Sequence, residues 1–215
     1  MSSVLFKLRS AGILFSLMLC LPVATLAQFD DARHLHSGSV IVAARDYVDR
    51  VYGQSVILLT HYGPDGAAGI MLNRKTPLPV SEVLPASKLS SSLYLGGPVS
   101  NRAILAIVQS ASIAPQASQV LRDLIVISDQ SLLDKTLAQP PAQFHVYLGH
   151  CEWGGGQLEG EVEDGGWYIF AGRSQEVFDE KPESLWARLI TQTTSKLQFA
   201  GLTPHPRDRF CGRFR

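Results

Sequence analysis

The chain has 215 residues, 46% apolar and 18% charged, with 19 basic against 19 acidic side chains. That length suffices for one ordinary domain with a substantial core, and that composition excludes a disordered chain. A formal charge of zero argues against nucleic-acid binding, which draws its affinity from clustered Lys and Arg.

Lys7 and Arg9 open the chain, residues 11–27 carry no charge, and Thr25-Leu26-Ala27 sets small residues where a signal peptidase reads them. Residues 1–27 are expected to be a signal peptide and the mature protein to be secreted or periplasmic. The uncharged run is short for a membrane span and is interrupted by Pro22. Cleavage after Ala27 would remove Lys7, Arg9 and Cys20, leaving 17 basic and 19 acidic side chains, a net charge of −2. Two cysteines would then remain, Cys151 and Cys211. A disulfide between them, an inert thiol and a nucleophilic Cys151 all stay open.

Residues 28–37 read as a mobile arm, 38–195 as a single domain and 196–215 as a basic tail. From Gly38, SGSVIVAA is strand-like. QSVILLTHYGPDGAAGIMLN reads as a hairpin around Gly63-Pro64-Asp65-Gly66. Pro79 to Leu84 reads as a short helix stopped by Pro85. Leu93-Tyr94-Leu95 is a strand ended by Gly96-Gly97-Pro98, and AILAIVQS and LRDLIVIS are two more. Ser128-Asp129 is placed to cap a helix running to Ala138, which Pro140-Pro141 ends. FHVYLG and GWYIF are strands. Between Pro182 and Gln192, the residues Leu185, Trp186, Leu189 and Ile190 share one helical face. Strands outnumber helices without regular alternation, so the expected fold is α+β: a single domain of mixed, coiled β-sheets with peripheral helices. The tail carries five basic residues and the single acid Asp208, and reads as solvated or in weak contact with an acidic surface.

The segment 148–167, LGHCEWGGGQLEGEVEDGGW, concentrates the reactive residues. It lacks the Gly-Lys-Ser/Thr end of a phosphate loop, and its carboxylates would repel an anion. If the strand from Phe144 continues, His150 and Cys151 point to opposite faces and cannot act as a base–nucleophile pair. The stretch reads best as a corner in which Gln157 opens a short helix with Leu158 and Val162 inward. Gly165-Gly166 then ends the helix and releases the strand from Trp167. Glu159 and Glu163 share a helical face, most simply a solvated one. His34-x-His36 has no second ligand cluster, so no metal and no cofactor are expected.

With these segments in place, the chain resembles the bacterial YqgE/AlgH family. The resemblance rests on SVILLTHYGPDGAAGIMLNR (55–74), SEVLP (81–85), YLGGPVS (94–100), VYLGHCEWGGGQLEGEVEDGGW (146–167) and VFDEKPESLWARLI (177–190). It implies an α+β domain of coiled sheets and carries a transcriptional-regulator label, with no catalytic set to transfer. The motif residues Asn73, Gly96, Gly97, Pro98, Trp153, Gln157, Glu159 and Trp167 are expected to form a shared scaffold or ligand surface. The family usually has a Gly-Tyr-Ala-Gly-Trp-like turn where this chain has Gly149-His150-Cys151-Glu152-Trp153.

The favoured function is an exported, non-enzymatic binding module. It would use a glycine- and Trp-lined groove for an unknown small ligand or protein partner. One alternative is an enzyme using Cys151, or Glu152 with Glu159. Another is the regulator of the family label, which an exported chain of net charge −2 does not suit.

Overall fold

A computed structural model describes residues 35–199. The expected signal peptide, most of the arm, His34, Cys211 and most of the basic tail lie outside the described residues. At the described end of the arm, Leu35 packs against a core cluster.

Among the described residues, ten strands run in chain order: β1 (Ser39–Ala43), β2 (Val56–Gly63), β3 (Gly66–Met71), β4 (Lys75–Pro79), β5 (Ser92–Leu95), β6 (Val99–Gln109), β7 (Ala117–Leu121), β8 (Leu124–Ile127), β9 (Phe144–Gly154) and β10 (Trp167–Ala171). The helices are α1 (Val80–Val83), α2 (Gln130–Ala138), α3 (Gln157–Glu163), α4 (Ser174–Val177) and α5 (Leu185–Phe199). The expected α+β single domain is observed, with one mixed sheet ordered β10-β1-β2-β3-β9-β6-β8-β7 and β5 also pairing with β9.

The β2–β3 hairpin closes at Gly63↔Gly66, as the turn residues predict. Asp129 caps α2 by accepting a hydrogen bond from the Leu132 amide at 2.9 Å. Three expectations need correction. LRDLIVIS is not one strand, because Arg122-Asp123 turns the chain between β7 and β8. The strand read as FHVYLG runs on past Gly149 to Gly154, where the glycines of the corner begin. Helix α5 passes the expected domain boundary at 195 and continues to Phe199. Strand β4 and helix α4 were not legible. Pro77 and Pro79 in β4 cannot donate to a ladder, and β4 pairs only with β5.

Strand β9 is shared between the two halves of the sheet. Its first half pairs antiparallel with β6 and parallel with β5. Its second half pairs antiparallel with β3, from Gly66↔Gly154 to Gly69↔Cys151. The halves meet at Gly149, whose φ of +72° is a left-handed value. Here the backbone of β9 crosses the Gly96-Gly97 turn at close range. A Cβ on Gly97 would lie 2.2 Å from the His150 carbonyl carbon, and one on Gly149 would lie 2.5 Å from the Gly97 oxygen.

The sheet curls until its ends approach: Gly38, before β1, packs on the Val120 carbonyl of β7. Val40, Leu58, Ile107, Val120 and Tyr147 fill the inside of the curl together with Leu185, Leu189 and Ile190 of α5. The outer face of the β1–β3 half carries Ile41, Ile57, Met71, Cys151, Trp153 and Trp167, covered by Leu158 of α3. The outer face of the β6–β8 half is covered by Val80 of α1 and by Leu133 and Leu137 of α2. Strands buried on both faces read as unbroken apolar runs, which is why SVIVA shows no alternation.

Candidate functional site

The corner after β9 is assembled around Glu161. Alternation along β9 directs Cys151 and Trp153 to the outer core face, and His150 and Glu152 to the opposite face. Chain reversal through Gly154-Gly155-Gly156 starts α3, and the Gln157 side chain accepts from the Gly154 amide at 3.1 Å. One turn on, Glu161 receives four donors, three of them from outside α3. Its Oε2 accepts from the indole N–H of Trp167 at 2.8 Å, the indole N–H of Trp153 at 3.1 Å and the Tyr47 hydroxyl at 3.4 Å. Its Oε1 accepts from the Gln157 amide at 3.0 Å. No basic side chain among the described residues pairs with Glu161.

Aromatic rings enclose this carboxylate. Trp153 and Trp167 stand nearly perpendicular, 85° apart with centroids 6.1 Å apart. Tyr52 sits in the angle between them, 5.9 Å from Trp153 and 6.2 Å from Trp167. Tyr47 leans on Trp167 at 5.0 Å and occupies the space beside Gly166. Both tyrosines come from the loop 44–53, which Asp49 shapes by accepting from the amides of Val51 and Tyr52, each at 2.7 Å. Burial, with the Glu161 and Asp49 carboxylates nearby, holds the Tyr47 phenol above its ordinary range; Tyr52 is raised by burial first.

Cys151 lies beneath these rings with no exposed surface. Its Sγ is 3.5 Å from the Gly96 oxygen, and burial pushes the thiol up to about 12, against a smaller lowering by a hydrogen bond with Tyr52. A neutral, enclosed thiol is a poor nucleophile. Glu152 and Glu159 bond to different partners. Glu152 is 2.8 Å from His150 Nε2, and Glu159 accepts from the Tyr62 hydroxyl at 2.7 Å. Among the described residues, no three His, Cys, Asp or Glu side chains are grouped to hold a metal ion.

The expected site residues thus separate. Trp153, Gln157 and Trp167 meet at Glu161, while Glu159 sits on the same helix facing Tyr62. Asn73 is buried elsewhere, accepting from the Val56 amide at 3.0 Å and donating to the Gln54 carbonyl at 2.9 Å. Gly96 and Gly97 face the backbone of Gly149 and His150, so the space beside them is occupied by β9 and not by an open groove. Pro98 is exposed next to them. Sequence reasoning missed Glu161, Tyr47 and Tyr52. The available signal was Glu161 four residues after Gln157, one turn along the helix and on its face. Nothing local ties the tyrosines to that helix.

A family model described as AlgH-like matches residues 40–198. The chain is 28% identical over 177 residues to a UPF0301 protein of Streptomyces avermitilis, covering 78% of this chain and 92% of that one. It is 24% identical over 180 residues to a UPF0301 protein of Chlorobium luteolum, covering 82% and 95%. These designations state no activity. The solution structure of the AlgH protein from Pseudomonas aeruginosa matches with a TM-score of 0.63 at 24% identity, over 79% of this chain and 96% of that one. A crystal structure of a Corynebacterium diphtheriae protein matches with a TM-score of 0.64 at 21% identity, over 74% and 87%. At such identities the structural likeness is one of fold.

Proposed function

The chain belongs to the AlgH-like family, and from that membership and the corner around Glu161 we propose that it is an exported, non-enzymatic binding module. Its recognition face is the corner formed by loop 44–53, the end of β9 and α3. One observation carries this reading: a half-buried carboxylate collects four donors, three of them from outside its own helix, and has no basic counter-charge among the described residues. A rigid polar centre walled by aromatic rings suits recognition, since indoles and phenols offer broad contact area at low entropic cost. The thiol alternative is disfavoured by the burial of Cys151 and its raised pKa. Export is supported by the sequence of residues 1–27.

Thiol titration of protein recovered from the exported fraction tests the reading. The recovered chain should lack residues 1–27, and Cys151 should react with a thiol reagent only after denaturation. Fast labelling of native Cys151 below neutral pH would replace the binding module with a thiol-dependent enzyme. Recovery of the full-length chain from the cytosol alone would remove export.

A further inference from the structure

We propose that the corner is an organic-cation site held shut by its own tyrosines. An alkylammonium group takes the place of the Tyr52 ring in the angle between Trp153 and Trp167, beside Glu161, as loop 44–53 swings outward. The inference rests on reading this corner as a binding face.

Perpendicular indoles 6.1 Å apart form two walls of an aromatic box, and the Tyr52 ring occupies the space between them. A cation over the faces of such rings is attracted by their quadrupoles, and most strongly by Trp. Negative charge is supplied by Glu161, whose carboxylate acts on Tyr47 and Tyr52 and stays in place on α3 when the loop moves. Among the described residues Glu161 meets only neutral donors and no basic partner.

The cover is held mainly through its two tyrosine rings, and its other side chains from Arg45 to Val51 face solvent. Arg45, Asp46, Val48, Asp49, Arg50 and Val51 are all exposed, Val48 to 99%. The loop is tied to the domain by its two tyrosine rings, by Ala44 N–H to the Gly166 carbonyl at 2.9 Å and by Arg74 to the Gly53 carbonyl at 2.6 Å. These last two bonds lie at the ends of the loop, where a hinge requires them. The Tyr47–Glu161 hydrogen bond, at 3.4 Å, is longer than the usual O–H···O range and is the contact most easily exchanged for a cation.

The test uses the whole mature protein, with choline as the probe and 3,3-dimethyl-1-butanol as its uncharged isostere, at constant ionic strength. The readout is the indole N–H NMR signals of the three tryptophans. Trp186, bonded to the Ala43 carbonyl under α5, serves as the internal control. Choline should shift the Trp153 and Trp167 signals saturably and leave Trp186 unmoved, and the alcohol should do neither. Glu161→Gln should weaken binding at least about tenfold, the loss of one charge-assisted contact. Because that variant disturbs the hydrogen-bond centre, Tyr47→Phe is the second probe. It removes only the long bond and should tighten binding several-fold by loosening the cover.

Absence of saturation up to about 100 mM choline, weaker than a single productive cation–aromatic site, would overturn the proposal. Equal shifts with the alcohol would overturn it too, while leaving the corner standing as a binding face for an uncharged ligand. Fast labelling of Cys151 below neutral pH in the absence of choline, with Tyr52 over the thiol, would by contrast remove the binding-module reading itself.

Discussion

Glu161 shows how much one side chain decides in this protein. Its Oε2 alone accepts from the indole N–H groups of two buried tryptophans, and its Oε1 accepts from the Gln157 amide. An unpaired buried donor costs far more than a hydrogen bond gains, because it has given up water for nothing. Glu161→Gln turns one acceptor into a donor facing another donor, and should destabilise the fold by about 1–3 kcal/mol in urea unfolding. Cys151 makes a second prediction at this scale. Its thiol is raised from 9.0 to about 12 in the folded state, so the folded chain holds the proton where the unfolded chain releases it. That contribution is fully present below pH 9 and is lost as pH rises toward 12. Alkaline unfolding of Cys151→Ala should therefore be less steep over this window. Neither role was legible in advance: Glu161 is one acid among several in its stretch, and only spatial neighbours distinguish it.

At the scale of elements, glycines divide by what surrounds them. In α3, a Cβ on Gly160 would meet nothing within 4 Å. Gly160→Ala should stabilise by about 0.5–1 kcal/mol, through helix propensity alone. Gly97→Ala should instead lower the melting temperature sharply, because its Cβ would lie 2.2 Å from the backbone of His150. Helix α4 is held differently. His145 stacks on Tyr94 at 4.4 Å, meets Phe178 edge-on at 5.2 Å and bonds to the Val177 backbone. Burial lowers its pKa from 6.5 to about 4, assisted by Lys75 and opposed by the Val177 bond. The unfolded chain therefore binds the extra proton first. Stability from neutral His145 is complete above pH 6.5, falls as pH drops toward 4 and then levels off. A His145→Phe variant followed by thermal melting across that range should lose this slope.

For the whole molecule the decisive feature is one strand serving two half-sheets. Because β9 pairs with β3, β5 and β6, neither half can unpair without stripping hydrogen bonds from the other. The inner core likewise draws on Tyr168 and Phe170 of β10 at one end of the curl and on Val120 of β7 at the other. A single cooperative transition is expected, with Trp fluorescence and far-UV circular dichroism giving the same midpoint. Two separated midpoints would show that the halves fold independently.

Local residue chemistry determined the hairpin at Gly63–Gly66, the cap at Asp129, the entry and exit of α3 and the apolar face of α5. Each depends on neighbours within one turn or one pleat, and that information is carried by adjacent letters. Family motifs pointed to the right segments as well, and the α+β class followed from the count and order of elements. Tertiary structure alone decided that Gly96 and Gly97 make room for β9, that Asn73 pins β2, and that Tyr47 and Tyr52 come from residues 44–53 to close over Glu161. Those outcomes depend on which distant backbone arrives at a position and how closely it packs. Register and curl settle that, and neither is a property of any short stretch of chain.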